Sequence, residues 1–253
     1  MTVEKVLADK VALITGGARN MGRAFCSALS NMGADVVIHH HSERSAAQAK
    51  EAAALVHANG RRAHVVVGDL ARPNVVREVF DSAQSVFSRL DIVINNAGLV
   101  IKKPLVEVSE EEFDRSFGIN AKAAFFVMQE AARRLENGGR IINMGTTILG
   151  ATIPNYSVYA GAKAPLEAFT RALAKEIGGR GITVNVVAPG PIDTPFYHGA
   201  ETPDSVARAT TASVAGRLGH VDDVVPLIEF LASPQSQWIT AQTLFINGGY
   251  LAR

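Results

Sequence analysis

A tyrosine and a lysine four positions apart, Tyr159 and Lys163, have types and spacing suited to proton transfer. Residues at this spacing lie on one face of a helix, one turn from each other. A phenol has a pKa of about 10, and a neighbouring ammonium lowers that value by stabilising the anion. We expect Lys163, with the charge of a bound cofactor, to lower the pKa of Tyr159 to about 7, which amounts to about 4 kcal/mol. The bare spacing alone, however, is more typical of an ordinary surface pair.

A glycine-rich cluster, Thr15-Gly16-Gly17-Ala18-Arg19-Asn20-Met21-Gly22, follows the first apolar run of the chain. A glycine-rich turn between a strand and a helix lets the backbone approach a pyrophosphate, which the free N–H groups of the helix N-terminus then bind. A tight turn without ligand would explain the glycines equally well. The position of the cluster after the first strand of a strand–helix series favours a dinucleotide site.

Short β-branched runs alternate with helical stretches along the chain, and these elements must position both clusters. Most runs are continuously apolar, which is typical of strands buried on both faces of a parallel sheet. Strands are predicted at residues 11–15, 34–39, 63–67, 91–95, 140–144, 183–187 and 243–246. Helices are predicted at residues 22–32, 42–59, 75–89, 109 to about 137, 156–177 and 222–231.

This alternation predicts right-handed βαβ units. The expected fold is α/β, a doubly wound parallel sheet of the Rossmann type with seven strands and helices on both faces, in a single domain at residues 1–253. Residues 191–213 interrupt the pattern just after a strand end. A segment of that length is expected to form a substrate-binding loop or lid.

The composition excludes several classes of protein. The chain has 253 residues, of which 47% are hydrophobic and 19% charged, as expected for one globular core. A net charge of +1 leaves no excess of positive charge with which to bind nucleic acid or an anionic membrane, so neither is expected as a partner. Cys26 is the single cysteine, and residues 1–10 lack the apolar core of a signal peptide. No apolar run reaches about 18 residues, so a cytoplasmic protein is expected.

Five motifs, in this order, resemble those of the short-chain dehydrogenase/reductase family. They are the turn at residues 15–22, Asn95-Asn96-Ala97-Gly98, Tyr159-x-x-x-Lys163, Asn185-x-x-x-Pro189-Gly190-Pro191 and Ile246-Asn247-Gly248-Gly249. None is specific alone, but their shared order is, and the similarity spans residues 9–250. Within the family the chain looks most like 3-oxoacyl-[acyl-carrier-protein] reductases and related ketoreductases.

The resemblance implies that Tyr159 exchanges a proton with a carbonyl oxygen while a nicotinamide carries the hydride. Lys163 is implied to hold the nicotinamide ribose, and Asn120 to hold a water in a proton relay, although an asparagine inside a helix can simply bind backbone and bend it. The family's serine, thirteen residues before the tyrosine, is Thr146 here. Its hydroxyl can still polarise a carbonyl. If the loop is shifted by one residue, Thr147 takes this role instead. Alternatively, Thr146 has no catalytic role and only forms hydrogen bonds with backbone groups at the end of the strand.

The resemblance implies NADP(H) as the cofactor. The second strand ends in His39-His40-His41-Ser42, without the acid that binds the adenosine ribose in NAD enzymes. Arg19 stands where NADP-using relatives carry a basic residue that binds phosphate. Alternatively, Glu43 accepts the ribose hydroxyls and Arg19 is a solvated charge. The implied cofactor contacts are Gly16, Arg19, Asn20, Met21, Gly22, His41, Ser42, Asp69, Leu70, Asn96, Ala97, Gly98, Tyr159, Lys163, Pro189, Gly190, Ile192 and Thr194.

Two details accompany this assignment. Asn20 replaces a family glycine, and asparagine tolerates the positive φ that the turn requires better than other residues do. Three adjacent histidines on a strand point to opposite faces, so no metal site is expected at residues 39–41.

The expected function is reduction of a small or carrier-bound carbonyl compound, or oxidation of the corresponding alcohol. Phe196, Tyr197 and His198 are expected to line the substrate pocket, unless residues 191–213 form a mobile surface loop. An NAD(H)-dependent alcohol or sugar dehydrogenase and a non-catalytic NADP(H)-binding regulator are the alternatives. Relatives commonly form tetramers, so a homotetramer is implied.

Overall fold

Seven parallel strands form one sheet in the computed structural model, which describes residues 5–252. The strand order is β3-β2-β1-β4-β5-β6-β7. The strands are β1 (Val11–Ile14), β2 (Asp35–His40), β3 (Ala63–Val67), β4 (Ile92–Asn95), β5 (Arg140–Met144), β6 (Thr183–Pro189) and β7 (Thr243–Ile246). The predicted doubly wound α/β fold is confirmed. Residues 1–4, part of the segment examined for a signal peptide, lie outside the described residues.

The five inner strands are buried along their whole length, as their continuous apolar runs predict. The two edge strands, β3 and β7, are only half-buried. Helices pack on both faces of the sheet. Phe25 and Leu29 belong to the core on one face, and Phe80 and Val127 to the core on the other. Burial of apolar surface between these layers is the main source of stability.

Ten helices surround the sheet. They are α1 (Asn20–Asn31), α2 (Ala46–Ala58), α3 (Pro73–Phe87), α4 (Glu110–Phe117), α5 (Ala124–Arg134), α6 (Ser157–Lys163), α7 (Pro165–Ile177), α8 (Pro195–His198), α9 (Pro203–Ala212) and α10 (Val221–Ala232), counted over the described residues. The predicted capping box is present: Ser109 accepts a hydrogen bond from the Glu112 N–H, and the Glu112 side chain accepts one from the Ser109 N–H. All six predicted helices exist, but three differ in extent.

The first difference lies in the helix predicted from residue 109 to about 137, where a π-helical turn, Gly118–Ala123, separates α4 from α5. Single π-turns inside helices occur frequently at functional sites, and this one carries Asn120. The second lies at residues 156–177, where α6 ends at Lys163 and α7 begins at Pro165. Proline has no N–H and suits the first turn of a helix, which explains the division.

The third difference concerns the start of α2, which a short 3₁₀ turn, Glu43–Ser45, precedes. The segment 191–213, which we expected to form a substrate-binding loop or lid, contains two helices, α8 and α9. Threonine caps explain both starts, because the Thr194 and Thr202 hydroxyls accept backbone hydrogen bonds from the helices that follow.

The parallel arrangement brings the carboxyl ends of all strands to one edge of the sheet. The strand order reverses between β1 and β4, and a crevice at such a point is the usual ligand site of an open α/β sheet. Within residues 5–252, no helix has the length and apolar character needed to cross a membrane.

Candidate active site

The glycine-rich turn after β1 leaves its backbone open to a ligand. Gly16 has a φ of +64° and Asn20 a φ of +49°, so the asparagine adopts the left-handed conformation expected of it. A Cβ on Gly22 would lie 2.1 Å from the Gly16 carbonyl oxygen, which explains the glycine there. Arg19 is the N-cap of α1, and no side chain caps that helix. The free N–H groups at the N-terminus of α1, together with a turn that has few side chains, are suited to bind a pyrophosphate.

Hydrogen bonds from β4 hold this turn in place. Asn96 Nδ2 donates to the carbonyl oxygens of Thr15 (3.0 Å) and Gly16 (3.2 Å). The Thr15 hydroxyl in turn accepts from the N–H groups of Asn96 (2.8 Å) and Ala97 (2.9 Å). The Asn96 side chain, predicted as a cofactor contact, therefore positions the turn.

His39 supports the same turn from β2, a role that the sequence did not indicate. Its Nδ1 accepts from the Gly16 N–H (3.2 Å), and its Nε2 lies 2.9 Å from the Gly68 carbonyl oxygen. These two partners require the neutral ring with the proton on Nε2. Burial lowers the pKa of His39 to about 4, so the ring is neutral at physiological pH.

The residues predicted at the adenosine end lie at the tips of β1, β2 and β3. Arg19 and His41 are exposed, and Ser42 is half-buried. Asp69 accepts a hydrogen bond from the Ala71 N–H (3.0 Å). Leu70 is 1% exposed and belongs to the hydrophobic core, so only its backbone could contact a cofactor.

Tyr159 and Lys163 lie one turn apart on α6, and both side chains are buried. Lys163 Nζ donates to the Met144 carbonyl at the end of β5 (2.8 Å). A Cβ on Gly98 would lie 2.9 Å from Asn120 Oδ1 and 3.4 Å from Lys163 Nζ, so the glycine lets the end of β4 pack between them. The fold thus brings together residues from β4, the π-turn and α6.

Asn120 is 1% exposed, and the π-turn points its amide at the chain after β4. Its Nδ2 donates to the Leu99 carbonyl (2.9 Å), and its Oδ1 accepts from the Leu99 N–H (3.2 Å). The structure therefore shows Asn120 binding backbone outside its own helix, and its place in a proton relay stays a prediction.

Burial sets the pKa values of Tyr159 and Lys163 in the protein alone. It raises the pKa of Tyr159 to about 12, and a hydrogen bond with Thr146 opposes that shift. The pKa of about 7 that we expect for Tyr159 with the charge of a bound cofactor stays a prediction. Burial also lowers the pKa of Lys163 to about 8. Removal from water disfavours the charged form of both groups. In the protein alone, Tyr159 is a protonated acid.

The two threonines after β5 have different surroundings. Thr146 lines the cavity described below, and its Oγ1 accepts from the Ile148 N–H (3.3 Å). Thr147 is 2% exposed, and its Oγ1 donates to the Ala188 carbonyl (3.1 Å). Thr146 is therefore the threonine that faces Tyr159, and Thr147 joins the loop to β6.

A cavity of about 620 Å³ opens beside Tyr159. Gly190 is held there by a hydrogen bond from its N–H to the Ile246 carbonyl (3.0 Å). The Thr194 hydroxyl caps α8 by accepting from the Tyr197 N–H (3.3 Å). The predicted site residues that line this cavity are Met21, Thr146, Tyr159, Pro189, Gly190, Ile192 and Thr194.

The 191–213 segment covers one side of the cavity. Phe196 and Tyr197 line it, as predicted. His198 does not; its ring instead lies 2.7 Å from Asp193 on the surface. Polar residues that we did not predict also line the cavity, among them Lys102, Tyr156, Glu201 and Ser205. Lys102 and Tyr156 bind Glu201 from segments too distant in the chain for a local pattern to indicate, whereas Ser205 stands four residues after Glu201.

Comparison with known proteins agrees with this geometry. The family model described as enoyl-(acyl carrier protein) reductase matches residues 16–251. A short-chain type dehydrogenase/reductase from Picea abies is 40% identical over 96% of this chain and 93% of its own length. An NADPH-dependent aldehyde reductase-like chloroplastic protein from Arabidopsis thaliana is 38% identical over 97% of this chain and 95% of its own.

A solved structure has the same fold. A candidate dehydrogenase from Burkholderia cenocepacia with bound NADP superposes with a TM-score of 0.95 and 46% identity, covering 100% of this chain and 97% of that one. Similarity of this extent, added to the shared order of motifs, confirms the resemblance. The chain belongs to the short-chain dehydrogenase/reductase family.

Proposed function

We propose that the protein is an NADP(H)-dependent carbonyl reductase and alcohol dehydrogenase, with Tyr159 as the general acid and base. The observation that carries this proposal is the buried Tyr159 phenol at the wall of a cavity large enough for a ketone, with Thr146 beside it. The bound nicotinamide would supply the hydride in reduction and receive it in oxidation.

In reduction, Tyr159 would donate its proton to the carbonyl oxygen of the substrate. The raised pKa keeps the phenol protonated at neutral pH, which suits this direction. The Thr146 hydroxyl would donate a second hydrogen bond to the same oxygen and stabilise the developing negative charge. Oxidation requires the phenolate and is therefore favoured only at high pH or by a positive charge brought into the site.

Lys163 and Asn120 would assist the proton transfer from Tyr159. The Lys163 ammonium carries three protons, of which one is used by the Met144 carbonyl, so two remain for the nicotinamide ribose and a water. Asn120, held against Leu99, would fix that water in the relay. The other predicted contacts stand in the turn after β1, just after β2, β3 and β4, and in the segment from the end of β6 onward, where they would hold the dinucleotide.

The choice of NADP(H) rests on charge at the tips of β1 and β2. Arg19 is exposed beside the pyrophosphate site, and a guanidinium binds a phosphate through several donors. Glu43, the alternative ribose acceptor, is exposed in a 3₁₀ turn beyond β2. Of the related proteins described above, the Arabidopsis thaliana protein is named as NADPH-dependent, and the Burkholderia cenocepacia structure contains bound NADP.

The direct test is oxidation of NADPH, read at 340 nm, with a panel of ketones and aldehydes and with NADH in parallel. We expect turnover with NADPH on uncharged carbonyl compounds and weak activity with NADH. Stronger activity with NADH would overturn the cofactor choice. Absence of turnover with both, in protein shown to bind NADPH by fluorescence, would favour a regulator.

We also propose that the chain forms a homotetramer in the cytoplasm. A surface groove beside α5 and α7 is lined by Phe117, Phe125, Phe126 and Phe169, and Phe125 is 41% exposed. Contiguous exposed apolar side chains are typical of an interface. Light scattering after size exclusion should give about four times the mass of the monomer, and Phe125→Glu should yield a smaller species. A monomeric wild-type protein would refute the assembly.

A further inference from the structure

The segment between α8 and α9 places a carboxylate in the wall of the cavity. The Glu201 side chain is 3% exposed. It accepts hydrogen bonds from the Tyr156 hydroxyl and the Ser205 hydroxyl, and it forms an ion pair with Lys102. Lys102 follows β4, and its side chain is 14% exposed. The segment 191–213 and the chain after β4 therefore meet through a nearly buried ion pair.

This pair determines the charge of the cavity. Among the described residues that line it, the charged ones are Lys102, Glu201 and Arg208. Arg208 is exposed, so water and salt screen its charge. Lys102 and Glu201 neutralise each other where little water reaches, and hydroxyl and apolar groups form most of the remaining wall. The shielded part of the cavity is thus neutral as a whole.

We propose that Glu201 is a specificity-determining residue: by pairing with Lys102 in the cavity wall it restricts the site to uncharged carbonyl compounds and excludes carboxylates. The inference rests on the proposed function, because it assumes that this cavity receives the carbonyl substrate. An entering carboxylate would lose its hydration and find the Lys102 ammonium already occupied by Glu201. An uncharged ketone of the same size meets no such penalty.

The proposal predicts which change would admit an anion. Glu201→Gln keeps an acceptor oxygen for one of the Tyr156 and Ser205 hydroxyls and offers an amide N–H that the other can accept, but it leaves the Lys102 charge unpaired in the cavity. A carboxylate could then pair with Lys102 through a charge-assisted hydrogen bond, which corresponds to a gain of about tenfold or more in affinity. Removing the lysine as well, in Glu201→Gln/Lys102→Met, should abolish the gain. Glu107→Gln removes an equal charge from an exposed turn outside the cavity and serves as the control.

The experiment compares ethyl benzoylformate with benzoylformate, an ester and an acid that present the same ketone. Binding of each to the protein–NADP⁺ complex is measured by calorimetry, and reduction of each with NADPH is measured separately. We expect the wild-type protein and Glu107→Gln to bind the ester at least about tenfold more tightly than the acid, and we expect this ratio to fall about tenfold or more in Glu201→Gln.

Equal affinities for ester and acid in the wild-type protein would overturn the proposal, and so would failure to bind the ester. An unchanged ratio in Glu201→Gln would overturn it too, provided that the variant binds NADPH and melts cooperatively. The wild-type comparison decides the question even if that variant does not fold. Absence of reduction with either compound would count against the proposed function alone, because the binding ratio does not depend on turnover.

Discussion

Replacing His39 by asparagine tests how the turn after β1 is held. The amide oxygen that the substitution introduces would lie where Nδ1 now accepts from the Gly16 N–H, but nothing would reach the Gly68 carbonyl. Loss of one buried hydrogen bond should destabilise the variant by about 1–3 kcal/mol at pH 7. The same exchange removes a buried titratable group, which makes the effect depend on pH.

The size of that dependence follows from the pKa. His39 titrates at about 4 in the folded protein, against an ordinary value of 6.5, because burial disfavours its charged form. A histidine whose folded pKa is depressed stabilises the fold fully above its unfolded pKa and loses that contribution as the pH falls toward the folded pKa. A difference of about 2.5 pKa units corresponds to about 3 kcal/mol, lost between about pH 7 and pH 4.

The assay is urea unfolding, followed by circular dichroism, of the wild-type protein and His39→Asn at several values from about pH 7 to pH 4. Other groups titrate in both proteins, so their contributions cancel in the difference. We expect the disadvantage of the variant to shrink by about 3 kcal/mol over this range and to vanish or reverse near pH 4. His57→Asn, at an exposed position on α2, is the matched control. A difference that stays constant with pH would refute the role assigned to His39.

Three further predictions concern the site. Arg19→Ala should raise the Kd for NADPH about tenfold or more and leave that for NADH nearly unchanged, because only NADPH carries the 2′-phosphate; equal losses would refute the contact. Thr146→Ser should retain activity, whereas Thr146→Ala should lower kcat about a hundredfold; a kcat of Thr146→Ala near that of the wild-type protein would contradict this role. The kcat/KM for NADPH should be constant up to about pH 8 and fall above it. Burial lowers the pKa of Lys163 to about 8, and only the charged ammonium would bind the ribose. A kcat/KM that stays constant to about pH 10 would contradict this.

The strands could be predicted within two residues because most of them are buried on both faces. β6 illustrates this: its continuous apolar run marks it clearly, and only its last two residues, Ala188 and Pro189, were missed. The π-turn at Asn120 could not be predicted, because one extra residue in a helical turn hardly changes the hydrophobic pattern.

The site could be predicted where its residues stand in contiguous motifs, and not where it depends on contacts between distant segments. Tyr159 and Lys163 are recognisable from their spacing, but their pKa shifts depend on burial that the whole fold creates. Glu201 and Lys102 are 99 residues apart, and neither stands in a recognisable motif. The sequence therefore indicates the chemistry, and the fold sets the protonation and the polarity of the cavity.

The most direct test of the account is the turnover of Tyr159→Phe in the presence of NADPH. Loss of the hydroxyl removes the proposed proton donor while the ring still fills its buried position. We predict a fall in kcat of at least about a hundredfold, with a Kd for NADPH, measured by fluorescence, within about threefold of the wild-type value. A variant that binds NADPH and reduces its substrate at a rate near that of the wild-type protein would contradict the central role of Tyr159.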